Sequence, residues 1–160
     1  MRLSFWDSIA RRRIRGSLPA DVRSRLDALR VRSRQRARED RSVTTGLFAL
    51  TRLVAMDLET TGPDMHSDRI ISIGGVAVVG RPARHRDSFE VVVRQQRESR
   101  VDNILIHQIG GQEQRAGAEP VDALLSFLGY LDGSIAVAFR AEFDATVLRR
   151  ELHAWLGIRA

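Results

Sequence analysis

The chain of 160 residues is 43% hydrophobic and 29% charged, a balance that suits one globular domain with an appendage and excludes the intrinsically disordered class. No apolar run approaches the roughly 18 to 20 residues of a membrane span and no apolar stretch of signal-peptide type follows the N-terminus, so a cytoplasmic protein is expected. With no cysteine, disulfides and thiolate metal sites are excluded, and any metal must be held by oxygen or imidazole.

The net charge of +6 is uneven, because residues 1–41 hold 13 of the 26 basic and 5 of the 20 acidic residues, net +8, while the remainder is net −2. Every basic residue is Arg, a bias that we ascribe to coding composition rather than to phosphate recognition. Residues 1–41 are expected to form a basic helical segment. Ser17-Leu-Pro-Ala-Asp reads as a helix start, with Pro19 early and Asp21 in the first turn, and Val22, Leu26 and Leu29 follow at i, i+4 and i+7. The amphipathic helix expected over about 19–38 carries Arg23, Arg25, Arg30, Arg32, Arg34, Arg36 and Arg38 on its other faces. Loose docking with solvation and contact with nucleic acid explain that pattern equally.

From 42 to 160 the pattern is that of an α/β domain. Strands are expected at Leu53 to Leu58, Arg69 to Val79, Ser88 to Arg94 and Ser134 to Phe139, separated by turn signals at Thr61-Gly62-Pro63-Asp64, Gly80-Arg81-Pro82 and the Gly110-Gly111 loop. Helices are expected at Pro120 to Leu131, where Val121, Leu124, Leu125 and Leu128 have helical spacing, and at Ala141 to Leu156. Three adjacent strands, a helix, a strand and a helix describe a mixed sheet flanked by helices.

Within the first strand, Asp57 and Glu59 stand two residues apart and therefore project from one face, near its C-terminal end. Two carboxylates that close, partly desolvated, repel each other unless a cation neutralises them, and a hard divalent ion is the natural one. Asp144, in the first turn of the last helix, points along the apolar stripe of Val147, Leu148 and Leu152 beside Phe143, which the attraction of a first-turn acid to the helix dipole does not explain. His66 and His153 read as surface residues; His153 is nine positions beyond Asp144, on the opposite side of the helix.

MDLETTG at 56–62, DRIISIGGVAV at 68–78, NILIHQIGG at 103–111 and VAFRAEFDATVLRRE at 137–151 resemble, in order and spacing, the DnaQ-like DEDD exonucleases, relatives of the proofreading subunit of bacterial DNA polymerase III. The resemblance implies a ribonuclease H-like fold and 3′–5′ hydrolysis of single-stranded DNA or RNA with two Mg²⁺ or Mn²⁺ ions. It implies that Asp57 bridges the metals, Glu59 binds one and Asp144 supports the other, directly or through water. It also places the Leu58 backbone, Thr60, Thr61 and Gly62 beside the terminal nucleotide, and Ile106 and His107 around the 3′ end. Phe139, Arg140 and Phe143 belong to the second motif, where relatives offer His-Asn or Phe-His and this chain has Phe139-Arg140; Arg140 is positioned by that pattern to touch a phosphate.

The family's third motif, His-x-x-x-x-Asp, does not occur after Asp144, so the domain at 42–160 is expected to be C-terminally incomplete. Its last strand is then expected to form an exposed edge prone to self-association. The alternative to an active enzyme is a catalytically degenerate domain that binds nucleic acid or a polymerase subunit.

Overall fold

The computed structural model describes residues 18–40, 52–79, 84–96, 99 and 101–158. Its elements in chain order are α1 (Ala20–Asp40), β1 (Arg52–Thr60), β2 (Ile70–Val79), β3 (Arg84–Val92), α2 (Val101–His107), α3 (Gly111–Ala116), α4 (Pro120–Leu131), β4 (Ser134–Val137) and α5 (Ala141–Leu156). The four strands form one mixed sheet in the order β3-β2-β1-β4. The pairs β1/β2 and β2/β3 are antiparallel and β1/β4 is parallel. This is the ribonuclease H-like mixed sheet flanked by helices. No helix among the described residues is long and apolar enough to cross a membrane.

Strand alternation decides what each face of the sheet meets. Val54, Met56 and Leu58 of β1 are buried, and they share a face with Ile73 and Ala77 of β2 through the pairs Leu58↔Ile73 and Val54↔Ala77. Against that face lies α4, whose Phe127 ring sits 5.6 Å from Phe89 of β3 and whose Tyr130 stacks on Phe89 at 5.2 Å. Phe127 and Leu128 of α4 and Val147, Leu152 and Leu156 of α5 complete the core at full or nearly full burial. On the opposite face of β1, Ala55 and Asp57 are exposed and Glu59 is half-buried. Asp57 therefore stands on the open side of the central strand rather than in the partly desolvated setting that its apolar neighbours suggest.

The last helix matches expectation, with α5 spanning Ala141–Leu156, whereas β4 opens at Ser134 as expected but ends at Val137, two residues before Phe139. That helix stops where Gly157 adopts φ 64° and its N–H turns back to the carbonyl of His153 at 3.1 Å. Two helices were not expected. Gly111, read as part of a loop, opens α3, and α2 forms in the segment before it. Residue 41, where the basic segment ends, lies outside the described residues. Its helix α1 is docked firmly: Val22, Leu26 and Leu29 are buried in the common core, and Arg25 bonds Asp122 of α4 at 2.5 Å.

Candidate active site

The parallel ladder between β1 and β4 ends at Ala55↔Val137. Asp57 lies just past that point, and the chain leaving β4 turns through Ala138, Phe139 and Arg140 into the first turn of α5. Topology thus delivers Asp144 to the end of β1 that carries Asp57 and Glu59. Asp144 is only 3% exposed, and its Oδ2 is buried with no hydrogen-bond partner. Burial, and after it the charge of Asp57, raises its pKa from 3.8 to about 6, against the opposing pull of Arg140. The Arg140 guanidinium lies over the buried Phe143 ring, 4.6 Å from its centroid.

The Thr60–Gly62 segment is braced from several sides. Thr60 Oγ1 donates to the Gly62 carbonyl at 2.7 Å, and Thr61 Oγ1 donates to Asp68 Oδ1 at 2.8 Å. Asp68 Oδ2 accepts from the Asp64 N–H at 2.7 Å. A Cβ at position 62 would stand 2.7 Å from Asp68 Oδ2, so a larger residue there would have to push the Asp68 carboxylate off its bonds to Thr61 and Asp64. Asn103 of α2 donates its amide to the Thr61 carbonyl, linking that helix to the end of β1. Among the described residues of α2 none is buried, and Leu105 and Ile106 are 74% and 77% exposed. His107 accepts the Ile109 N–H on Nδ1 at 3.1 Å, while its Nε2 is buried without a partner. Phe139 is fully exposed. His66 and His153 are exposed, as expected of surface residues.

Of the three carboxylates, Asp57 and Asp144 interact electrostatically. Among the described residues no three His, Asp or Glu side chains gather closely enough to hold a metal ion, so Glu59 does not complete a three-carboxylate cluster with the other two. The donors present nevertheless fit a hard divalent ion. Both are carboxylates, and one has a buried oxygen that no protein group satisfies.

Asp68, Arg69, Asn103 and Glu151 lie inside the motifs read from the sequence, but the local sequence did not show what they bond; the Arg69 and Glu151 side chains pair at 2.7 Å across 82 positions. These are ordinary surface residue types whose partners are set by the fold.

The chain belongs to the exonuclease family RNase_T, the DnaQ-like DEDD group, whose profile matches residues 54–158. Over 112 residues it is 33% identical to a PolC-type DNA polymerase III of Thermotoga maritima, an alignment covering 69% of this chain and 8% of the polymerase. It superposes on E. coli exonuclease I in complex with a dT13 oligonucleotide with a TM-score of 0.58 at 15% identity, covering 66% of this chain and 24% of the other. Exonuclease I of Methylocaldum szegediense gives a TM-score of 0.59 at 18% identity, with the same coverage of 66% and 24%. The chain spans a small part of each of these proteins.

Proposed function

We propose that the chain is a 3′–5′ exonuclease domain that releases nucleotides from the 3′ end of a single strand, DNA in the first instance, by two-metal-ion phosphodiester hydrolysis. Asp144 carries the reading: a buried carboxylate with an unsatisfied oxygen, held against the charge of Asp57 at the end of the central strand. Such an arrangement is unfavourable unless a cation or a proton neutralises it. Asp57 and Asp144 would hold the cation; the family pattern implies Glu59 as a further ligand, although among the described residues it does not gather with the other two. Bound Mg²⁺ or Mn²⁺ supplies water activation and stabilisation of the leaving 3′ oxygen.

The chain's own residues do the rest. Thr60, Thr61 and Gly62, with no side chain at 62, let a strand end come close to the backbone of Leu58 and the carboxylates. Phe139 and Ile106 present exposed apolar surface on which unpaired bases can stack or pack. Arg140, on the approach to Asp144, offers a cation to a phosphate, while Phe143 beneath it fixes the guanidinium. His107 lies one residue beyond Ile106 on the helix that Asn103 ties to Thr61. The polymerase relatives support association with polymerase subunits, and the oligonucleotide-bound neighbour supports a single-stranded substrate.

A second reading, a degenerate domain that binds nucleic acid or a polymerase without cleaving, is favoured by the lack of a three-ligand cluster among the described residues. A 5′-labelled single strand incubated with Mn²⁺ separates the two. The enzyme reading predicts a ladder shortening from the 3′ end that Asp57→Asn abolishes. Binding without shortening, equal in wild type and variant, would establish the second reading.

A further inference from the structure

We propose that Glu151 and Arg69 are positioning residues that hold Asp144 against Asp57, an inference that rests on the metal-dependent reading above. Glu151 follows Asp144 by seven positions on the same buried face of α5, two helical turns along. Its side chain is 7% exposed. Oε1 accepts from Arg69 Nε at 2.7 Å and Oε2 from Arg69 Nη2 at 3.3 Å, a two-pronged pair. Oε2 also accepts from Trp155 Nε1 at 2.8 Å, and Oε1 from Arg150 Nη2 at 3.4 Å. Arg150 in turn donates Nη1 to the Met65 carbonyl at 2.7 Å.

At the other end, the backbone of Arg69 holds Thr61 twice. Its N–H donates to Thr61 Oγ1 at 3.0 Å, and its carbonyl accepts the Thr61 N–H at 2.9 Å. Thr61 is two residues beyond Glu59 and four beyond Asp57 on the same chain. The helix that carries Asp144 and the strand that carries Asp57 are thus tied by a bonded path through Glu151, Arg69 and Thr61, and the Arg150–Met65 bond fastens the same loop to α5. Mutual repulsion of Asp57 and Asp144 drives the first turn of α5 away from β1. The Glu151–Arg69 link opposes that separation, and it touches neither carboxylate. It sets their spacing and thereby the affinity for a cation placed between them.

The test is a Mn²⁺ titration of the whole chain followed by melting temperature, using wild type, Glu151→Gln, Arg69→Gln, the double variant and Tyr130→Phe. Tyr130, which bonds the Asp87 carbonyl at 3.0 Å, is a stability control outside this link. Each single variant is expected to raise the Mn²⁺ concentration at half-response about 10-fold, the lower range for losing a group behind a metal ligand. The double variant should go no further than the worse single variant, and Tyr130→Phe should titrate as wild type. On a 5′-labelled strand, kcat should fall with KM for the strand unchanged. Should Arg69→Gln fail to fold because it leaves the buried Glu151 carboxylate without its two-pronged partner, Glu151→Gln carries the test, since the Arg69 side chain it leaves behind is 46% exposed and solvated. Single variants titrating at the wild-type midpoint, or Tyr130→Phe shifting as far as they do, would overturn the positioning role alone. A wild type with no Mn²⁺ response would overturn the metal-dependent reading, and this inference with it.

Discussion

Asp144 concentrates the chemistry of the site in one side chain, since the fold buries this acid and leaves its Oδ2 without a hydrogen-bond partner. Its pKa of about 6, against an ordinary 3.8, means that the folded state binds this proton more tightly than the unfolded chain. The group therefore favours folding at acid pH and opposes it as pH rises from about 4 through about 6, by on the order of 3 kcal/mol in full. In EDTA, wild type should gain stability relative to Asp144→Asn when the pH is lowered from 7.5 to 5, measured as the difference between their urea midpoints. A difference that does not change with pH would mean that Asp144 is solvated or paired. The pattern of this residue was legible in the sequence, because an acid on an apolar helical stripe conflicts with its surroundings. The exposure of Asp57 was not. An apolar run such as Leu53 to Leu58 does not say which strand face is covered; the packing of α4 on the Val54, Met56 and Leu58 side decides it.

At the level of elements, β4 joins the sheet only through β1 and, among the described residues, has no strand on its other side. Val137 is 50% exposed, and the edge carries no charge before Arg140, so it lacks the usual protection against pairing with a second copy. Self-association through β4 is proposed on that ground. Val137→Lys should shift the chain toward monomer in sedimentation at micromolar concentration, while a monomeric wild type would remove the proposal. The long elements were readable because their periodicities extend over many residues, as in α4 with Leu124, Leu125 and Leu128 all buried. Helix α2 escaped detection for the opposite reason. It has 7 residues and none of them buried, so it leaves no apolar stripe, and it is held instead by the Asn103 bond to Thr61. Helix α3 is shorter still at 6 residues and begins at Gly111, a residue that ordinarily signals a turn.

Across the whole molecule, the site depends on pairings between distant parts of the chain. The β1/β4 register brings Val137 beside Ala55, and the Arg69–Glu151 pair spans 82 positions. The carboxylates were identifiable one by one from local sequence; their spacing and the groups that hold them were not, because those follow only from the closed sheet and the docking of α5. The basic segment shows the same limit. Its charge left loose docking and nucleic-acid contact equally open; Leu26 is fully buried in the common core and Arg25 pairs with Asp122, so α1 has a structural role. We propose that Asp57 and Asp144 together form a metal-dependent nuclease centre. Its most direct test is the rate of mononucleotide release from a 3′-labelled single strand in Mn²⁺, for wild type and Asp144→Asn, with the fold of both verified by circular dichroism. Release by wild type that EDTA stops and that falls by at least about 100-fold in Asp144→Asn is the predicted result, since loss of a direct ligand should exceed the roughly 10- to 100-fold cost of losing a group behind one. Equal rates in the two folded proteins would contradict it.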